Sequence, residues 1–198
     1  MQTLDFNQID DDQGGYSLVP NGEEVCVELE LEESKYGTSE APYIIRSQNG
    51  LYRISTKMTV ISKRFEGFYW YQDIVLPEFA QPKDLPDNLQ KAAQIGGVTI
   101  RRIIEAARGI ARDDKSEKAA SARCIQSWSE LEGMRFAVKV AKKEDYKGKM
   151  RNSASQILGI DAPSYREFFE QGLLRINKLP EAPSASATYS RADDDLPF

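Results

Sequence analysis

Histidine is absent from this 198-residue chain, and with it go the commonest general base, the imidazole of a nucleophilic triad and the most frequent zinc ligand. Cysteine is nearly absent as well. Cys26 and Cys124 lie far apart with no second pair to form a metal knuckle, so both read as reduced, structural thiols. No apolar run of about eighteen residues occurs, and the start Met1-Gln2-Thr3-Leu4-Asp5 is acidic where a signal peptide would be basic and then apolar. The expectation is a cytoplasmic protein without membrane span or signal peptide. These absences argue against an enzyme, and no catalytic residue or cofactor is assigned. The carboxylates Asp10-Asp11-Asp12 sit in a Gly-flanked polar arm and read as solvated, so no metal site is expected.

The formal net charge of −5 hides an uneven distribution. Residues 1–50 carry eleven acids against two bases, whereas residues 101–150 carry thirteen bases against eight acids. Cations gathered in one part of a chain with acid at its ends fit a nucleic-acid binder with an acidic tail. With 40% hydrophobic residues the chain is long enough for one domain with a core. Its expected organisation is a flexible arm over residues 1–15, a folded domain over 16–178 and a disordered tail over 179–198. The tail is dominated by Pro, Ala, Ser and Thr and has too little apolar content to offset roughly 1–2 kcal/mol per residue of backbone ordering entropy.

Within the domain, strict alternation from Glu24 to Glu32 predicts a half-buried strand, with Val25, Val27, Leu29 and Leu31 inward. Asn49-Gly50 predicts a hairpin between Tyr43–Ser47 and a long strand Leu51–Lys63, which carries Arg53, Lys57 and Lys63 on one face. The segment from Arg64 to Leu76 holds Phe65, Phe68, Tyr69, Trp70 and Tyr71 and has high strand propensity. Three prolines then end the sheet. A helical stripe of Val98, Ile100, Ile103, Ile104, Ala107 and Ile110, with Glu105 outside, predicts a helical insertion over about 84–126. Strands resume with Met134, Phe136, Val138 and Val140 inward and Arg135, Lys139 and Lys143 outward, then a basic turn Lys147-Gly148-Lys149-Met150-Arg151 and a last strand to Leu158. Ser164 is a candidate cap for a short closing helix. The expected fold is mainly β, an antiparallel barrel resembling the oligonucleotide-binding fold.

The ending Asp193-Asp194-Asp195-Leu196-Pro197-Phe198 closely resembles the acidic tip of bacterial single-stranded DNA-binding proteins. Charge beside a hydrophobic plug suits a basic-rimmed apolar pocket on a partner. Further segments, Ile95-Gly96 followed by Ile103-Ile104-Glu105-Ala106-Ala107-Arg108-Gly109, then Leu131 to Val140 and Tyr146 to Asn152, resemble a family of small phage proteins encoded among recombination and replication functions. That resemblance implies single-stranded DNA binding, in a bacterial host cell, with host or phage replication, recombination and repair proteins recruited through the tip.

Binding single strands without reading sequence requires cations that follow phosphates and rings on which bases stack. Arg53, Lys57, Lys63, Arg64, Tyr69, Trp70 and Tyr71 supply both, and Arg135, Lys139, Lys143, Lys147, Lys149 and Arg151 supply more cations. If the two strand groups are neighbours, they make one basic groove containing rings. Period two divides the rings between core and surface; Tyr69 and Tyr71 are the preferred base platforms, with Trp70 as their exchange. The alternative is an adaptor or inhibitor whose tip imitates that of a host protein. Homo-oligomerisation is left open.

Overall fold

In the computed structural model of the chain, residues 18–37, 41–145 and 147–176 are described. The expected arm, the tail with its tip Asp193–Phe198 and the Asp10–Asp12 cluster lie outside them. Eight strands form two antiparallel sheets. The larger has the order β5-β4-β1-β7-β8, built from β1 (Glu24–Leu31), β4 (Thr56–Val60), β5 (Tyr69–Tyr71), β7 (Arg135–Glu144) and β8 (Met150–Leu158). The smaller has the order β2-β3-β6, from β2 (Ile44–Arg46), β3 (Tyr52–Ile54) and β6 (Ile74–Val75).

Alternation places Val25, Val27, Leu29, Met58, Val60, Trp70, Phe136, Val138 and Val140 on one face of the larger sheet, all buried. The expected barrel is not closed by a ladder among the described residues. β5 ends after three residues because the chain turns at Gln72 and Asp73 to feed β6 into the other sheet. β5 and β8 meet instead through the Gln72 side chain, whose Oε1 accepts from the Ala154 N–H at 2.9 Å.

Between the strands runs α1 (Asp87–Arg108), pressed on β6 so closely that a β-carbon on Gly96 would lie 2.0 Å from the Val75 carbonyl oxygen. Only glycine fits there. Gly109 ends the helix in the left-handed region at φ 65°. α2 (Glu117–Ala122) follows, capped by Ser116. Two of the expected positions on α1 are reversed. Val98 is 48% exposed, because it lies about 200° around the helix from Ile100. Glu105 is buried, held by Arg101 at 2.8 Å and Arg123 at 2.6 Å. Arg123 also donates to the carbonyls of Ala111 and Asp114, stapling the connection after α1.

α3 (Pro163–Glu170) packs on β1 and β7. Its cap is Ala162 rather than Ser164, and Pro163 opens the helix, where its missing N–H is harmless. The Tyr165 hydroxyl donates to the Ala106 carbonyl and ties α3 to α1. Burial pushes the nearby Cys26 thiol up to about 12, so this cysteine is an inert core residue. Among the described residues, no helix is long and apolar enough to cross a membrane.

Candidate nucleic-acid interface

The long strand expected over Leu51–Lys63 is three pieces. Arg53 sits on β3 of the smaller sheet, opposite Ile45 and Val75, while Lys57 sits on β4 of the larger one. Lys63 and Arg64 belong to a 3-10 turn over Lys63–Phe65 beyond β4. The break at Ser55 lets the chain change sheets, so the shared face expected of Arg53, Lys57 and Lys63 does not form. Arg64 pairs with Glu23 at 3.0 Å and lies over the Phe65 ring at 4.9 Å.

Within β5 the aromatic run divides as its period requires, but Phe65 and Phe68 lie outside the strand, where the alternation expected of them does not apply: their ring centres are 5.9 Å apart and both pack against the core. Trp70 is 5% exposed, opposite Met58 on the core face, and Tyr71 is 58% exposed on the other face. Tyr69 is half-buried beside it, with the two rings edge to face at 5.8 Å. Trp70 is therefore unavailable as a base platform. Residues directly opposite in an antiparallel pair share a face, so Tyr71 stands with Lys57, and Tyr69 with Thr59. The Lys57 ammonium lies 5.2 Å from the centre of the Tyr69 ring. A cation and two aromatic rings thus meet on the outer face of β4 and β5.

The same face carries acids that were legible in the sequence but not placed. β1 lies between β4 and β7, so the two cationic strands are not neighbours. Glu30 is opposite Lys57, Glu28 opposite both Thr59 and Arg135, and Glu24 opposite Lys139. Lys57 bridges Glu30 at 3.0 Å, and Arg135 bridges Glu28, which Arg175 also approaches at 3.6 Å. The Thr59 hydroxyl, donating at 2.6 Å, and Lys57 hold the Glu30 carboxyl below its ordinary range. The same contact raises the Lys57 ammonium. The single continuous basic groove is corrected accordingly: a glutamate strip divides it.

The second cationic region is the end of the β7–β8 hairpin. Lys143 and Arg151 are opposite each other, and Lys142, Lys147 and Lys149 are exposed nearby. Lys142 occupies an inward-parity position, which hides it in the sequence pattern; the hairpin runs past the core there, and parity loses its meaning. Asp145 shapes the turn, its Oδ1 accepting from the N–H groups of Lys147 at 2.8 Å and Lys149 at 3.0 Å. The Lys149 and Lys147 amides, aided by Arg151 at 2.6 Å, hold this carboxyl below its usual range. Lys139, Lys142, Lys143 and Lys149 form no ion pair among the described residues.

A further ring and cation that the sequence did not flag, Tyr36 with Lys35 at 4.9 Å, lie in the segment after β1, with Tyr36 72% exposed. Only the lone Tyr beside Lys could have pointed to them, and that signal is weak. The chain matches no family model, and no curated protein matches it.

Proposed function

We propose that this chain is a non-enzymatic single-stranded DNA-binding protein of the kind phages use beside recombination and replication, coating strands without reading their sequence. The observation that carries the reading is the outer face of β4 and β5, where Lys57, Tyr69 and Tyr71 meet while Trp70 is turned into the core. Bases stacked on such rings contribute about 1–3 kcal/mol each.

The strand order gives a second support. A five-stranded order 3-2-1-4-5 with a helix between the third and fourth strands is that of the oligonucleotide-binding fold, a partly open barrel in which strands two and three and the 1–2 and 4–5 loops contact the strand. Taken so, β4 and β5 are strands two and three, Lys147 and Lys149 belong to the 4–5 loop, and Lys35 and Tyr36 begin the 1–2 loop. In this proposal Asp193–Phe198 recruits replication, recombination and repair proteins, and the setting is a bacterial cytoplasm.

The glutamates of β1 favour a second reading, an adaptor or inhibitor that binds no DNA and uses its tip to occupy another protein's partners, since Lys57 and Arg135 are already neutralised. A salt titration with fluorescent oligo-dT separates the two. Binding whose log affinity falls by roughly 0.7 per neutralised phosphate per log unit of salt supports the first; no binding at low salt leaves only the second.

A further inference from the structure

α1 turns two apolar side chains to water on the side away from the sheets. Ile95 is 59% exposed and Val98 48%, although Ala93, Ile100, Ile103 and Ile104 on the opposite side are buried. Lys91, Ile95, Val98 and Arg102 recur at i, i+4, i+7 and i+11, which stacks them into one stripe. Both cations are exposed, and neither forms an ion pair among the described residues. The stripe begins at Asp87 in the first turn and ends at Glu105, which is buried and already held by two arginines. What remains is an apolar pair with an unsatisfied cation on either side.

We propose that this ridge is the docking site of the chain's own segment Asp193–Phe198. Its three aspartates answer Lys91 and Arg102, and Leu196 and Phe198 answer Ile95 and Val98. A second copy fits worse, because antiparallel pairing of two such ridges sets Lys91 against Arg102, and like charges oppose the contact. The position where the described chain ends adds an independent reason. Ile176 packs on the helix end, its Cδ1 lying 3.2 Å from where a β-carbon on Gly109 would be. At about 1.5 Å per residue, Val98 is about 17 Å and Ile95 about 21 Å back along the helix from Gly109.

The sixteen residues 177–192 join that point to the tip. A spacer of that length spans about 22 Å as a flexible coil and about 50 Å as extended polyproline, so the ridge lies within reach in either regime. A tether matched to its site supplies an effective concentration near the millimolar range, and a weak contact suffices for occupancy. A partner with its own basic-rimmed pocket then gains the tip by competition. The inference stands apart from DNA binding.

The test is a fluorescent peptide of residues 191–198 titrated into the full chain and into the chain truncated after residue 190. The expected result is binding to the truncated chain, at least tenfold weaker binding to the full chain, and at least a tenfold loss in the truncated chain carrying Ile95→Ser with Val98→Ser or Lys91→Glu with Arg102→Glu. All four positions are exposed, so an unchanged urea midpoint certifies the fold of each variant. Several results overturn the proposal: equal affinity for full and truncated chains, no binding at millimolar peptide, loss through Lys143→Glu with Lys149→Glu instead, or a dimer dispersed by Ile95→Ser yet indifferent to tip removal. The salt slope of oligo-dT binding by the truncated chain with no substitution is independent of all these results, so failure here is distinguishable from failure of the DNA-binding reading.

Discussion

Lys57 on β4 and Lys143 on β7 belong to one sheet, yet their neighbours differ. Lys57 has two tyrosines beside it and Glu30 across the strand pair, bridged at 3.0 Å. Lys143 has Arg151 across from it and no ion pair among the described residues. One region offers stacking with its charge largely neutralised, and the other offers the cations Lys142, Lys143 and Lys149, which form no ion pair among the described residues. In the proposed DNA-binding reading the two contributions are separate, so each can be removed alone.

The largest effect is expected where the aromatic run enters the core. Trp70→Ala removes a side chain that is 5% exposed and should lower stability by about 3–5 kcal/mol in urea unfolding. Its neighbour Tyr71→Ala should change stability by less than about 0.5 kcal/mol while weakening oligo-dT binding by about 1–3 kcal/mol. If the two substitutions shift the unfolding midpoint alike, the division of the rings between core and surface is wrong.

Next in size is the hairpin. Lys143→Gln with Lys149→Gln should reduce the slope of log affinity against log salt by up to about 1.4, at roughly 0.7 per lost phosphate contact, whereas Tyr71→Ala should leave that slope unchanged. A slope that ignores the hairpin would place the phosphate path elsewhere.

Glu30→Gln should sharpen the contrast from the other side. Freeing Lys57 from an ion pair worth up to about 1 kcal/mol should tighten oligo-dT binding several-fold, and weaker binding would mean that Glu30 positions the lysine productively. The smallest effect concerns pH. Glu30 and Asp145 are both held below their ordinary values, so their contributions to stability are complete above the carboxylate range of the unfolded chain, about pH 4–5, and are lost as the pH falls through their folded values. The urea midpoint should be flat in the neutral range and fall below about pH 4.5, with the fall reduced in Glu30→Gln. A midpoint that rises on acidification would contradict both assignments.

How far the sequence could be read follows the same division. β1, β7, β8 and α1 were legible because each is long enough for its period to speak, and the split between Trp70 and Tyr71 follows from alternation alone. Strand neighbours were not legible. The pairing that sets Glu30 against Lys57 and Glu28 against Arg135 links residues 27 and 107 positions apart, and no local pattern records it. The break at Ser55 was equally hidden, since Leu51–Lys63 has strand propensity throughout and only competition between two sheets divides it. On α1, the exposed position of Val98 was recoverable from helical geometry, whereas burial of Glu105 depends on Arg123 arriving from beyond the helix.

The central claim is that β4 and β5 form a base-stacking face whose charge is supplied in part from the hairpin. Its most direct test is oligo-dT affinity measured across salt for the unaltered chain and for Tyr71→Ala. The account predicts two parallel lines of negative slope, the variant displaced downward by about one to two log units, as 1–3 kcal/mol of lost stacking requires. Superimposed lines, or no binding by the unaltered chain at low salt, would contradict it.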